Sequence, residues 1–225
     1  MSDKSNEHTS SEWLELGNKC FKVNDFQKAI EYYKKAVNDP ENSVAWSNMG
    51  VAYENLGNYE KEVECCQKAV EVDPQDSWAW YNLGVGYGKL GKYQKAIESY
   101  TQATLYDPND ETSYYNMGLA YTKIGNFKKA IESWEKAFEI NPKEIKILFN
   151  IALAYTKLAK DLKAVEIYNK ILSIVPNNIR ALNKTGFAYI NIGNNQKAIE
   201  CFESILNLDP QNKEAKEILK KLKKN

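Results

Sequence analysis

The chain has 225 residues, with 30 basic and 30 acidic side chains, a single histidine and 43% hydrophobic content. Balanced charge argues against a nucleic-acid protein that binds by bulk counterion release, and no apolar run approaches the roughly 20 residues of a membrane-spanning helix. His8 lies in a polar stretch without the basic-then-apolar pattern of a secretory leader, so the expectation is a cytoplasmic, non-enzymatic protein with no cofactor and no metal.

Residues 1–9 read as a flexible polar tail, and periodicity starts after them. Pro40, Pro74, Pro108, Pro142, Pro176 and Pro210 are each 34 residues from the last, and internal repetition outranks other sequence signals. The first unit carries Trp13, Leu16 and Gly17 and is one residue shorter before its proline. Later units place Gly50, Gly84, Gly118 and Gly186 in one register, with Ala152 in the gap, and Tyr53, Tyr87, Tyr121, Tyr155 and Tyr189 three residues on. Ala29, Ala96, Ala130, Ala164 and Ala198 mark the second half of their units. In the third unit, Ser77 opens a helix with Trp80, Leu83, Gly84 and Tyr87 at helical spacing on one face. Gly91 ends it, because glycine accepts the left-handed backbone at a helix C-terminus. A second helix starts at Tyr93, with Ala96, Ile97, Tyr100 and Ala103 inward, and stops before Asp107-Pro108. In the fifth unit Ala159 takes the terminating position that glycine holds in its neighbours. After Pro210, Ala215, Ile218, Leu219 and Leu222 share a face, with Lys213, Lys216, Lys220, Lys221, Lys223 and Lys224 elsewhere. That segment, 213–225, reads as a capping helix of the kind a repeat array needs for solubility.

The unit resembles the tetratricopeptide repeat, whose pattern is W-x2-L-G-x2-Y, then alanine, an aromatic, alanine and proline. The frame gives repeats at 10–42, 43–76, 77–110, 111–144, 145–178 and 179–212. The resemblance implies an all-α, right-handed superhelical solenoid of antiparallel helix pairs, whose first helices line a concave groove. It also implies a non-catalytic protein-interaction module.

In this family positions 2, 5, 6, 9, 12 and 13 of the first helix tend to face the groove. Position 6 holds Asn48, Asn82, Asn116 and Asn150, amides able to donate and accept along the main chain of an extended peptide. Position 5 holds Tyr81, Tyr115 and Phe149, and position 2 adds Trp78. These rings either face a partner or pack between neighbouring first helices. Position 9 is apolar, as Val51, Val85, Leu119, Leu153 and Phe187. Position 13 supplies Lys89, Lys123 and Lys157, which suit an acidic segment in the partner. The groove is expected to run from the second to the sixth repeat.

Two alternatives stand beside a groove-bound peptide. Residues 143–225 carry a net charge of +7 and residues 1–142 one of −7, so a self-associating scaffold, a weak homo-oligomer, is the first. The second is the family's carboxylate clamp for chaperone tails. Asn150, Arg180 and Lys184 match three of its five members, but Tyr115 and Leu119 replace its lysine and asparagine. Arg180 and Lys184, one turn apart, are the best local anion site.

Three other features are set aside or flagged. Gly86, Gly88 and Gly91 spell a dinucleotide fingerprint, but at the end of a helix rather than after a strand. Cys20, Cys65, Cys66 and Cys201 lack metal-ligand spacing and read as reduced thiols acting as small hydrophobes. Glu62 falls where the other units place a close-packed alanine. Its carboxylate is expected to reach solvent, find a cation or force the helices apart.

Overall fold

The computed structural model describes residues 8–223. Most of the expected tail, residues 1–7, and Lys224 of the capping segment lie outside the described residues. Among the described residues there are thirteen α-helices and no strand: α1 Ser10–Lys22, α2 Phe26–Ala36, α3 Ser43–Asn55, α4 Tyr59–Val72, α5 Ser77–Lys89, α6 Tyr93–Tyr106 and α7 Glu111–Lys123. There follow α8 Phe127–Ile140, α9 Ile145–Lys157, α10 Asp161–Ile174, α11 Ile179–Asn191, α12 Asn195–Leu208 and α13 Lys213–Leu222. They form two compact units, which divide after Ala120, within α7.

Local chemistry sets the helix ends. Asn58, Asn126 and Asn194 cap α4, α8 and α12 by accepting from the N–H three residues on, at 3.1–3.2 Å, which satisfies a donor that the first turn leaves unpaired. Lys92 and Lys160 hold the same position before α6 and α10 and make no such side-chain bond. At the C-terminal ends of α3, α5, α7 and α11, Gly57, Gly91, Gly125 and Gly193 take φ values of 72–77°. Ala159 reaches φ 53° after α9, and Asn24 φ 61° after α1.

In the first unit, α1 packs on α2, α3 on α4 and α5 on α6, and successive pairs stack through α2–α3 and α4–α5. Small residues let the paired helices close up. A Cβ on Gly84 would lie 2.5 Å from the ring of Tyr100, so α5 can approach α6 only without one. Ala29, Ala52, Ala69, Ala79, Ala96 and Ala103 are fully buried, and the large rings of Tyr33 and Tyr100 are buried with them. A lysine of the second helix then covers the tyrosine of the first: Lys61 over Tyr53 at 5.2 Å and Lys95 over Tyr87 at 5.4 Å. The second unit repeats the device with Lys129 over Tyr121, Lys163 over Tyr155 and Lys197 over Tyr189, at 5.5–5.6 Å. Each pair adds a cation–π attraction to a ring that is buried (Tyr53, Tyr87) or half-buried (Tyr121, Tyr155, Tyr189).

The second unit is built from the same parts. Leu148, Phe149, Ala152, Ala164, Tyr168, Ile171 and Ala181 form one core cluster. Leu182, Ala198, Phe202 and Ile205 form another, closed by Ala215 and Leu219 of α13. The Asn183 amide donates to Glu214 on α13 at 2.9 Å, which helps fix the last helix.

Glu62 follows neither of the first two expected routes. Its side chain neither reaches solvent nor finds a cation: it is 0% exposed, and neither carboxyl oxygen has a hydrogen-bond partner among the described residues. Burial, and then the charge of Glu54, push its pKa up to about 8 against the opposing effect of Lys89. Cys65 and Cys66 are buried on the same helix, and burial raises both thiols, Cys65 to about 12. They are inert packing groups.

Candidate functional site: a cleft on the first-helix face

The first helices of the first unit, α1, α3 and α5, enclose a cleft of about 260 Å³ with a Tyr33 contribution from α2. Its lining is Asn18, Phe21, Lys22, Tyr33, Asn48, Val51 and Trp78. Hydrogen bonds fix the polar part. Asn18 Oδ1 accepts from the Tyr33 hydroxyl at 2.8 Å and from the Asn48 amide at 3.0 Å. Burial pushes the Tyr33 hydroxyl up to about 12, so it stays a donor at any physiological pH. Phe21, Val51 and Trp78 supply the apolar part. Trp78 is 54% exposed, a large exposure for an indole, and it stacks on Tyr81 with centroids 5.4 Å apart and planes 22° from parallel.

On its other flank Trp78 borders a second, wider hollow of about 510 Å³, lined by Ser77, Trp78, Tyr81, Asp107, Asp110 and Thr112. Tyr81 is braced there by Tyr100, 6.1 Å away, and its oxygen accepts from the Asn116 amide at 3.4 Å.

Position 6 therefore divides. Asn48 and Asn116 are half-buried and hydrogen-bonded to the neighbouring first helix, so part of the amide row ties repeat to repeat. Asn82 is only 2% exposed and its Nδ2 has no partner among the described residues. This corrects the expectation of an accessible amide at that position: Asn82 is a buried group between α5 and its neighbours. Tyr115 is half-buried and Lys89 exposed, with the Lys89 ammonium 5.8 Å from the Tyr59 ring.

In the second unit, Lys123, Lys157, Arg180 and Lys184 are exposed and Asn150 is half-buried. Phe149 is a further correction. It is 7% exposed, its ring tilted against Tyr168 at 6.2 Å, and the Arg180 guanidinium lies 4.7 Å above it. Phe149 is therefore core, and Arg180 is partly engaged in covering it.

Asn18, Phe21, Lys22 and Tyr33 fall outside the expected groove, which begins at the second repeat. Counting from Ser10 puts Asn18, Phe21 and Lys22 at positions 9, 12 and 13, the same positions that pointed to Val51 and Lys89.

Family models match the repeats. The tetratricopeptide repeat model matches residues 43–76 and 77–110, a second model of the same repeat matches 13–38, and the model described as the cytochrome c-type biogenesis protein H TPR domain matches 105–216. The chain belongs to the tetratricopeptide repeat family. Solved structures of the family share its fold at low identity. YrrB, described as a TPR protein with an unusual peptide-binding site, superposes with a TM-score of 0.70 at 19% identity, covering 86% of this chain and 98% of that one. A tetratricopeptide repeat protein from Parabacteroides merdae gives 0.68 at 18% identity, covering 96% and 99%. Among curated relatives, the Hsp70-Hsp90 organising protein of Plasmodium falciparum is 32% identical over 68 residues, 30% of this chain and 27% of that protein. The stress-induced-phosphoprotein 1 of Caenorhabditis elegans is 39% identical over 59 residues, 26% of this chain and 18% of that protein. The matched segment thus spans about a quarter or less of each of these relatives' own length.

Proposed function

We propose that this tetratricopeptide repeat chain is a non-catalytic binding module that holds an extended segment of a protein partner on its first-helix face. The observation that carries the reading is the half-exposed Trp78 beside a cleft whose polar groups are already oriented by Asn18, Tyr33 and Asn48. An apolar hollow rimmed by a few fixed polar groups suits one side chain of an extended peptide. Because Asn48 and Asn116 spend a donor on neighbouring helices, apolar anchoring contributes more than an amide ladder would. Lys22 at the rim, and the exposed Lys89, favour an acidic residue of the partner beside the anchor.

The test is selection of peptides from a displayed random library against the intact protein, repeated on Val51→Asp and Trp78→Ala. Peptides carrying a common apolar residue should be enriched on the wild type and lost on both variants, whose melting temperatures should stay close to wild type. Equal enrichment on Val51→Asp would move the site away from this cleft.

A chaperone-tail adaptor is the second reading, favoured by the similarity to Hsp70-Hsp90 organising proteins. The absent lysine and asparagine, replaced by Tyr115 and Leu119, remove charge-assisted hydrogen bonds worth about 1.5–3 kcal/mol each. Peptides with a free C-terminal carboxylate binding no better than their amidated forms would dispose of this reading.

A further inference from the structure

The hollow on the far flank of Trp78 differs in chemistry from the cleft. Its floor is the stacked Trp78–Tyr81 pair, and its charged lining is Asp107 and Asp110, with no lysine or arginine among the lining residues. Asp110 is held in place as the cap of α7: one oxygen accepts from the backbone N–H of Thr112 and Ser113, the other from the Ser113 hydroxyl. Asp107 is tied by a single bond from the Asn109 N–H at 3.0 Å and is exposed. Burial first, and then the charges of Asp110 and Glu54, hold the Tyr81 proton against the opposing Asn116 hydrogen bond, so Glu54 adds to the negative field of the two aspartates. Aromatic faces beside fixed carboxylates attract a planar cation, because the ring quadrupole and the carboxylates act in the same direction.

We propose that this hollow takes the guanidinium of an arginine from the bound partner, stacked on the exposed indole and paired with Asp107 and Asp110. This deepens the groove reading and rests on it. The partner segment then has polarity: an apolar residue in the cleft between Lys22 and Trp78, and an arginine beyond Trp78 toward α7. Arginine is favoured over lysine because its planar group can stack and donate to carboxylates in the same pose, whereas an ammonium acts as a hydrated point charge. The partner is thus acidic toward α1 and basic toward α7, not acidic throughout.

The probe is a blocked pentapeptide of four glycines around one arginine, with lysine and glutamate versions as controls. It is titrated into the full chain while the indole N–H resonance of Trp78, assigned by its loss in Trp78→Phe, is followed by NMR. The arginine peptide should shift that resonance saturably and more tightly than the lysine peptide, and the glutamate peptide should not shift it. Asp107→Asn combined with Asp110→Asn removes both charges but keeps a capping side chain, since asparagine caps as well as aspartate. It should weaken the arginine peptide by about tenfold or more, the effect of one lost charge-assisted bond. Absence of a saturable shift, equal response to the lysine or glutamate peptide, or unchanged binding in the double variant would overturn the assignment. Val51→Asp lies outside the hollow and separates the two readings. If it still abolishes library enrichment while the arginine test fails, the groove stands and the arginine subsite falls. If it leaves enrichment intact, the groove reading itself has failed.

Discussion

The carboxyl group of Glu62 on α4 occupies space that Gly86 on α5 leaves open: a Cβ on Gly86 would lie 3.0 Å from Glu62 Cδ and 2.8 Å from a Val63 methyl carbon. In the same repeat frame the equivalent positions are all alanine, as Ala29 with Ala52, Ala96 with Ala120, Ala130 with Ala154 and Ala164 with Ala188. One stacking contact has exchanged an alanine pair for a glutamate and a glycine. Glu62→Ala should therefore stabilise the protein by about 1–3 kcal/mol, the range for relieving an unpartnered buried polar group. Gly86→Ala alone should destabilise it, and the double variant Glu62→Ala/Gly86→Ala should be the most stable of the three. Urea unfolding of all four proteins gives the coupling, which must be non-additive for residues in contact. A Glu62→Ala midpoint at or below wild type would contradict this.

Glu62 also predicts a pH dependence. Its folded-state pKa of about 8 exceeds the value of about 4.3 expected in the unfolded chain. Between those values the unfolded state releases a proton that the folded state keeps, so stability falls as pH rises through the window and levels off above about 8. Below about pH 4.3 both states are protonated and the penalty vanishes. Glu54 acts to raise this value and Lys89 to lower it. Other groups contribute to the total profile, so the informative quantity is the difference between wild type and Glu62→Gln. That difference should widen by about 2–4 kcal/mol from pH 5 to pH 8, and a constant difference would rule out titration of Glu62.

Ala159 adopts φ 53°, whereas four of its five equivalents are glycines at φ 72–77° and the fifth, Asn24, lies at φ 61°. An L-residue with a Cβ pays about 1–2 kcal/mol in that region, although alanine limits the unfolded chain more than glycine does. Ala159→Gly should raise stability by about 0.5–1 kcal/mol, which corresponds to about 1–4 °C in a melting scan. A lower melting temperature would mean that the second unit has relaxed around the alanine.

The helix bounds were legible because prolines, glycines and tyrosines recur at fixed spacing, and each acts through its own backbone or its nearest turn. Accessibility within a first helix was not. Position 5 is Tyr81, half-buried beside an exposed indole, in one unit and Phe149, sealed under Arg180, in another. The covering residue comes from the next repeat and differs from unit to unit, so a single-repeat frame cannot rank them. The same limit hid the fate of position 6, where Asn48 finds Asn18 one repeat back and Asn116 finds Tyr81. Glu62 was visible as a break in the alanine register. Its accommodation lies in Gly86, which breaks a second register one helix later.

The missing caps at Lys92 and Lys160 give a surface prediction. Both are exposed, and a lysine there places positive charge on the positive end of the helix dipole. Lys92→Asn and Lys160→Asn copy the residue used at Asn58, Asn126 and Asn194. Each should add about 0.5–2 kcal/mol, and being far apart in sequence and in separate units they should add independently. Chemical denaturation of the single and double variants checks both statements.

Phe149 and Trp78 were expected to play one role, and their surroundings assign them two. Phe149 is enclosed by Tyr168 and capped by a guanidinium, so Phe149→Ala opens a cavity that cannot collapse without moving α10. The cost for such a truncation is about 3–5 kcal/mol. Trp78 leaves more than half its surface in solvent, so Trp78→Ala should cost about 1 kcal/mol or less, mainly the stacking on Tyr81. Arg180→Ala should destabilise modestly by uncovering the Phe149 ring. Thermal melts of the three variants should rank Phe149→Ala lowest and Trp78→Ala nearest to wild type. Only the Trp78 change should also impair peptide selection at temperatures where the protein is folded. A Trp78→Ala loss as large as that of Phe149→Ala would show the indole to be a structural wedge, and would remove the anchor from the proposed cleft.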